Sequence, residues 1–169
     1  MKKGMLWGML CPLLLSGGCG FHLRGSHDAW GPLPVTALEG AAQPLQAEMK
    51  SLLEDSGTPI VADQKQAKLI VKLLEEHVDQ RILSVAPTGK VEEYEIHYVA
   101  SYTAQDSKGQ VLIAPEAVEQ IRSYPYSDLE VLGAAGQNAY LVTDMRRGAA
   151  EQIMRRLEVV MHKSPALTP

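Results

Sequence analysis

Residues 93–104 read EYEIHYVASYTA, and this stretch decides the fold because apolar and polar residues alternate along it. The even-numbered positions are apolar or aromatic throughout: Tyr94, Ile96, Tyr98, Ala100, Tyr102 and Ala104. The odd-numbered positions are polar, with Val99 as the exception: Glu93, Glu95, His97, Ser101 and Thr103. A repeat of two over about a dozen residues is typical of a half-buried β-strand. The stretch therefore predicts a long strand whose even-numbered face lies against a covering layer.

Turn signals bound this strand on both sides, with APTG at residues 86–89 and DSKG at residues 106–109. An earlier strand is predicted from residues 67–74 onward to Val85. Its apolar positions change from odd to even numbers, which predicts a β-bulge around residues 75–77. A later strand is predicted from Val111 to Tyr124, with an interruption near Pro115. The three strands together predict a meander of long hairpins.

Two helices are predicted on either side of the meander. Residues 44–56 begin with Pro44, which suits a first helical position, and end before Gly57. The second helix is predicted from Asn138 to His162, where apolar residues recur three or four positions apart: Val142, Met145, Ala149, Ile153, Leu157 and Val160. Its arginines are assigned to a solvated face: Arg146, Arg147, Arg155 and Arg156.

With a short strand at residues 35–38, the element order is β-α-β-β-β-α. The predicted class is α+β, with two helices packed on one face of a four-stranded mixed, mostly antiparallel sheet. The first two strands are joined through a helix, so we expect them to be parallel. A single domain is predicted over residues 35–162, followed by a short C-terminal tail at residues 163–169.

The chain begins with the features of an exported lipoprotein. Lys2 and Lys3 precede an apolar run at residues 5–15, whose 11 residues fall short of the ~20 that a membrane-spanning helix needs. The small residues 16–18 then stand directly before Cys19, which resembles the bacterial lipoprotein box. That resemblance implies removal of residues 1–18, acylation of Cys19 and a lipid-anchored tether at residues 19–34. In enterobacterial lipoproteins, an aspartate directly after the acylated cysteine retains the protein in the inner membrane. This chain has Gly20 at that position, so we expect it to be located in the outer membrane.

The other chemistries of Cys19 are disfavoured by the cysteine count. The chain has two cysteines, and Cys11 lies in the segment predicted to be removed. The single remaining thiol could form no intramolecular disulfide, and no further ligands lie at metal-binding spacing around it. Acyl chains contribute ~0.8 kcal/mol per buried CH₂, so several of them make a stable anchor.

Composition and motifs argue against nucleic-acid binding and catalysis. Without residues 1–18 the chain would keep 14 basic and 20 acidic side chains, a balance of −6, whereas nucleic-acid binding favours a basic surface. Glu93, Glu95 and His97 are interpreted as a solvated strand face; a periplasmic hydrolase using Glu93 or His97 is the disfavoured alternative. His22 and His27 have poor metal-ligand spacing. We therefore predict no enzyme activity, no cofactor and no metal site.

Four segments resemble the LptE family of outer-membrane lipopolysaccharide-assembly lipoproteins. They are CGFHLRG at residues 19–25, GKVEEYEIHYVASYTAQDSKGQVL at 89–112, IRSYPYS at 121–127 and MRRGAAEQIMRRL at 145–157. The resemblance implies a non-enzymatic protein that forms a one-to-one plug inside the β-barrel LptD, faces the periplasm and the barrel lumen, and binds lipopolysaccharide.

The same resemblance implies candidate lipopolysaccharide contacts. Family members are thought to bind near the hairpin tip that corresponds to residues 86–90, where Lys90 is the charged residue, and Arg122 matches the family pattern R-S-[YF]. Such cations suit the phosphates of lipid A. The alternative function is a structural lipoprotein subunit of another outer-membrane assembly complex that does not bind lipopolysaccharide.

Overall fold

The computed structural model describes residues 31–126 and 131–163. Its strands and helices follow the predicted order: β1 at Thr36–Gly40, α1 at Gln43–Asp55, β2 at Leu69–Val85, β3 at Val91–Asp106, β4 at Val111–Pro125 and α2 at Val131–Lys163. The four strands form one sheet in the order β1-β2-β3-β4. β1 runs parallel to β2, and the other pairs are antiparallel. The predicted fold class and the parallel first pair are confirmed.

The alternating stretch lies at the centre of this sheet, in β3, and its even-numbered face is the covered one. Ile96, Tyr98 and Ala100 are fully buried. Both helices pack on that face and contribute buried side chains to the same core: Leu45, Met49 and Leu53 from α1, and Met145, Ile153 and Leu157 from α2. Each buried side chain of this size stabilises the fold by about 1.5–3 kcal/mol relative to exposure.

The irregular positions of the sheet lie close to their predicted places. The register between β2 and β3 shifts between Leu73 and Glu75, so the bulge involves Leu74, one residue before the predicted window. The strand containing Pro115 is continuous, because a shift in its pairing with β3 absorbs the irregularity. Proline is tolerated there since β4 is an edge strand whose outer side needs no backbone donor.

The second helix differs most from its prediction. It begins at Val131, seven residues before Asn138. Gly133 and Gly136 lie in this added part and lower its intrinsic helix preference by about 1 kcal/mol each relative to alanine. An established helix gains one hydrogen bond for each residue added, so a tertiary helix of this length can extend through such residues. Within the described ranges, no helix is both long and apolar enough to cross a membrane.

The two sides of β2 have different surroundings. β1 pairs with Leu69–Leu73 only, because the chain leaves the sheet after Gly40. From Glu75 onward, no other strand of the described residues pairs with the outer side of β2. We call Glu75–Arg81 along this outer side the β2 edge.

Candidate functional site

The turn between β2 and β3 forms as predicted and presents Lys90 at the tip of a long hairpin. The amide of Ala86 donates to the carbonyl of Lys90 at 2.7 Å, and the amide of Gly89 donates to the carbonyl of Ala86 at 2.8 Å. Gly89 has a φ of 83°, a left-handed conformation that glycine adopts without strain. The Lys90 side chain is exposed.

The structure does not bring the two predicted lipopolysaccharide contacts together. Arg122 lies on β4 directly opposite Ile96, so its side chain projects from the helix-covered side of the sheet. It is exposed and donates to the carbonyl of Ile121 at 2.9 Å. Lys90 precedes Ile96 by six residues, which at ~3.3 Å per residue places the two backbones ~20 Å apart along the sheet. The backbones of Lys90 and Arg122 are therefore well separated along the sheet, and Arg122 lies two residues from Tyr124 on the same face of β4.

Aromatic and aliphatic side chains gather on the strand ends next to the turn between β2 and β3. The rings of Tyr94 and Tyr124 lie 5.9 Å apart and tilted, and those of Tyr94 and Tyr126 meet edge to face at 5.2 Å. Ile82 is the strand partner of Tyr94 and is 55% exposed, and Val85 is 56% exposed. We call Ile82, Val85, Lys90 and the three tyrosines the tip end; it combines an apolar surface with one cation.

Hydrogen bonds connect the tip end to the second helix. Asn138 of α2 donates its side-chain amide to Gln80 Oε1 at 2.7 Å. The side-chain amide of Gln80 in turn donates to the Tyr124 hydroxyl at 3.0 Å. These bonds join β2, β4 and α2 and fix the position of the Tyr124 hydroxyl.

A charged cluster that the sequence did not predict joins both helices to the sheet. Arg146 Nε lies 2.6 Å from Glu76 Oε1, and the side chains are 20% and 8% exposed. The other Glu76 oxygen accepts the backbone N–H of Leu45 at 3.2 Å, in the first turn of α1. Ala42, the N-cap residue, has no side chain that could accept it, so a carboxylate from the sheet supplies the stabilising negative charge.

The placement of Arg146 on a solvated face was therefore wrong. After the bulge at Leu74, the even-numbered positions of β2 face the helices, and Glu76 becomes an inward-facing acid that needs a partner. Arg146 directly follows Met145 of the buried stripe and lies at its border, so its side chain reaches Glu76. An acidic residue at an inward strand position was the signal that would have predicted the pair.

Two buried tyrosines have raised pKa values beside charged side chains, Tyr98 at the Glu76–Arg146 pair and Tyr102 at Glu116. Burial, followed by the negative charge of Glu76, raises the pKa of Tyr98, whose hydroxyl lies close to Glu76 and Arg146 without a well-formed hydrogen bond. Burial, followed by the hydrogen bond that its hydroxyl donates to Glu116, raises the pKa of Tyr102. Both phenols therefore act as fixed, uncharged core groups.

The disfavoured catalytic candidates lie on the open face of the sheet in ordinary surface pairs. Arg81 Nε donates to Glu95 Oε1 at 2.7 Å, and this bond holds the pKa of Glu95 below its usual range. His97 Nε2 lies 3.0 Å from the same oxygen, and Ser84 donates to Glu93 at 2.9 Å. Among the described side chains, no group of three or more histidine, cysteine, aspartate or glutamate residues could hold a metal ion.

The fold defines a class: an α+β domain in which two helices cover one face of a four-stranded mixed sheet. Residues 32–157 match the LptE, lipopolysaccharide-assembly family model, and the chain belongs to this family. Membership confirms the resemblance, assigns the chain a role in lipopolysaccharide assembly and places it in a non-enzymatic lipoprotein family.

Curated relatives carry the same family name, and solved structures share the fold. The LPS-assembly lipoprotein LptE of Pectobacterium atrosepticum is 27% identical over 148 residues, covering 86% of this chain and 79% of that protein. Its counterpart from Yersinia enterocolitica is 28% identical over 151 residues, covering 88% and 72%. Lipoprotein B from Nitrosomonas europaea superposes with a TM-score of 0.69 at 23% identity, covering 88% of this chain and 95% of that one. The rare lipoprotein B of Shewanella oneidensis gives a TM-score of 0.67 at 22% identity, covering 76% and 96%. The solved structures share the fold.

The predicted signal peptide and Cys19 lie outside the described residues, as does most of the predicted tether. Lipidation of Cys19 and the domain boundaries at the two ends of the chain stay predictions.

Proposed function

We propose that the chain is anchored in the outer membrane through acylated Cys19, forms a one-to-one plug inside LptD, and binds lipopolysaccharide at the tip end. The observation that carries this proposal is the family match over residues 32–157. The relatives' names identify them as LPS-assembly lipoproteins. The cysteine pattern at residues 16–19 supports the anchor.

The chemistry of the tip end supports lipid binding there. Lipid A joins acyl chains to phosphates, and the tip end combines exposed Ile82 and Val85 on β2 with exposed Lys90 in the turn that follows. Glu92 and Glu93 lie close in sequence to Lys90 and oppose an incoming phosphate, so the apolar contacts provide most of the attraction. Arg122 is a separate contact, outside the tip end.

The test compares lysines at the two hairpin tips. We expect Lys90→Glu to weaken lipopolysaccharide binding about five-fold, which corresponds to about 1 kcal/mol for an exposed charge contact. Lys108→Glu changes the same charge at the opposite hairpin, between β3 and β4, and should leave affinity unchanged. Binding is measured by titrating lipopolysaccharide into the chain from residue 19 onward carrying Cys19→Ser.

The outcome separates the proposal from its alternative. If the wild-type protein binds no lipopolysaccharide, the chain is a structural lipoprotein subunit without this ligand. If Lys90→Glu and Lys108→Glu weaken binding equally, the effect is one of net charge and the tip end is not the site. Mass spectrometry of the mature amino terminus checks acylation of Cys19 independently.

A further inference from the structure

Three aliphatic side chains of β2 form an exposed line on the side of the sheet that the helices cover. Val78 lies opposite Tyr98 and Ile82 lies opposite Tyr94, and opposite residues of an antiparallel pair project from the same face. Val78 is nevertheless 40% exposed and Ile82 is 55% exposed. Leu74, the bulge residue, is 43% exposed and lines a groove together with Val78. We call Leu74, Val78 and Ile82 the β2 strip.

The β2 strip is open because of where α1 begins. The Leu45 amide in the first turn of α1 donates to Glu76 of β2. Since α1 connects two parallel strands, it runs from Glu76 back towards the start of β2 and does not cover the strand beyond that residue. A groove of ≈430 Å³ lies at this start of α1, where Ala42 and Pro44 line it beside the first part of the strip.

The polar side chains between the strip residues already have partners within the protein. Glu76 pairs with Arg146 at 2.6 Å. Gln80 accepts from Asn138 and donates to the Tyr124 hydroxyl. What the β2 strip offers to a ligand is therefore aliphatic surface. An exposed apolar row bordered by polar groups is typical of a ligand-binding groove or an interaction site.

The β2 strip continues the tip end along the strand. Ile82 belongs to both, and β2 leads from Leu74 through Val78 and Ile82 into the turn that contains Lys90. Strip residues are four positions apart, which at ~3.3 Å per residue spaces them ~13 Å apart along the strand. A ligand that joins phosphates to hydrocarbon chains matches this order, with a cation at the turn and aliphatic side chains along the strand.

We propose that the β2 strip holds acyl chains of lipopolysaccharide whose phosphates face Lys90. The inference rests on the proposed function, since it places the hydrocarbon part of the same ligand. Apolar burial is non-directional and needs no hydrogen-bond partner, so an acyl chain suits a surface whose polar groups are already bonded. The chains lie against the face of the sheet and lead towards the groove at the start of α1.

Titration with two forms of lipopolysaccharide tests the β2 strip. Intact lipopolysaccharide and its O-deacylated form carry the same phosphates, and the second form lacks the ester-linked acyl chains. Both are titrated into the chain from residue 19 onward carrying Cys19→Ser. We expect the intact form to bind about ten-fold more tightly. Val78→Asp should remove most of this preference, because the acyl chains would desolvate its carboxylate. Lys90→Glu should weaken the binding of both forms by the same factor, since both carry the phosphates.

Ile121→Asp is the matched control for Val78→Asp. Ile121 is 46% exposed and lies opposite His97 on the open face of the sheet, so the same charge enters a similarly exposed aliphatic position. This variant should keep the preference for the intact form. Val78→Thr retains the branched shape without a charge, and it replaces the aspartate variant if that one does not fold. It should weaken the binding of the intact form about three-fold.

Three results would overturn the proposal and leave the proposed function in place. They are equal affinity of the unaltered chain for both forms, an unchanged preference in Val78→Asp and Val78→Thr, and equal effects of Val78→Asp and Ile121→Asp on the preference. Light scattering of the ligand-free chain adds a fourth, because a dimer that Val78→Asp dissociates would assign the β2 strip to a second copy. If the unaltered chain binds neither form, the proposed function fails and this inference fails with it.

Discussion

Replacing Arg146 by methionine is expected to lower the free energy of unfolding by about 3–5 kcal/mol. The substitution keeps the side-chain volume but leaves the Glu76 carboxylate, which is 8% exposed, without its ion-pair partner. Most of the loss comes from this uncompensated charge, since a buried pair as a whole contributes little net stability. The same carboxylate accepts the Leu45 amide, so disorder at Glu76 would also loosen the start of α1.

Chemical denaturation followed by circular dichroism measures this effect. Arg147→Met is the matched control, because Arg147 is the next residue on the same helix and pairs with Glu151 at 3.5 Å on an exposed face. Its expected cost is below about 0.5 kcal/mol. The double variant Glu76→Leu/Arg146→Met removes both charges and should recover most of the loss. Equal effects of Arg146→Met and Arg147→Met would contradict the role assigned to the cluster.

Substituting Gly40 by alanine is expected to destabilise the protein by about 3 kcal/mol or more. Gly40 ends β1 with a φ of 138°, a conformation that residues with a side chain rarely adopt. An added Cβ would lie 1.9 Å from the carbonyl oxygen of Leu73, a backbone atom of β2. In the alanine variant, β1 and β2 must therefore separate at Gly40, where the chain leaves the sheet and continues into α1.

Gly148→Ala provides the comparison for that measurement. Gly148 lies within α2, and an added Cβ would meet the Gln120 side chain at 3.7 Å, an ordinary contact. Because alanine favours the helix, this variant should be neutral or more stable by up to about 1 kcal/mol. Thermal unfolding of the two variants measures the difference. A Gly40→Ala protein as stable as Gly148→Ala would show that β1 leaves the sheet differently.

The sheet and its covered face could be predicted because a period of two identifies strand and face together. From Tyr94 to Ala104 every even-numbered position is apolar or aromatic, and turn residues stand at both ends. The phase change along β2 likewise predicted a bulge within one residue of its place. The early start of α2 was missed, since the low intrinsic helix preference of Gly133 and Gly136 argues against a helix there.

The candidate site was harder to predict from the sequence, because its geometry depends on the pairing register of strands whose residues are far apart in the chain. The identity of Lys90 as a hairpin-tip residue follows from the turn, but its ~20 Å separation from Arg122 follows only from the pairing of β3 with β4. The ion pair between Glu76 and Arg146 joins residues 70 positions apart. The unpaired β2 edge exists because β1 is shorter than β2, which no local pattern reports.

Co-purification with a barrel partner tests the central claim, assembly with LptD, most directly. The acylated chain, tagged after residue 169 and expressed in its own cell, is extracted from outer membranes in mild detergent, and its bound proteins are quantified by mass spectrometry. We predict a stable complex with LptD at a one-to-one ratio. Recovery of the lipid-anchored chain without any β-barrel protein would contradict the account.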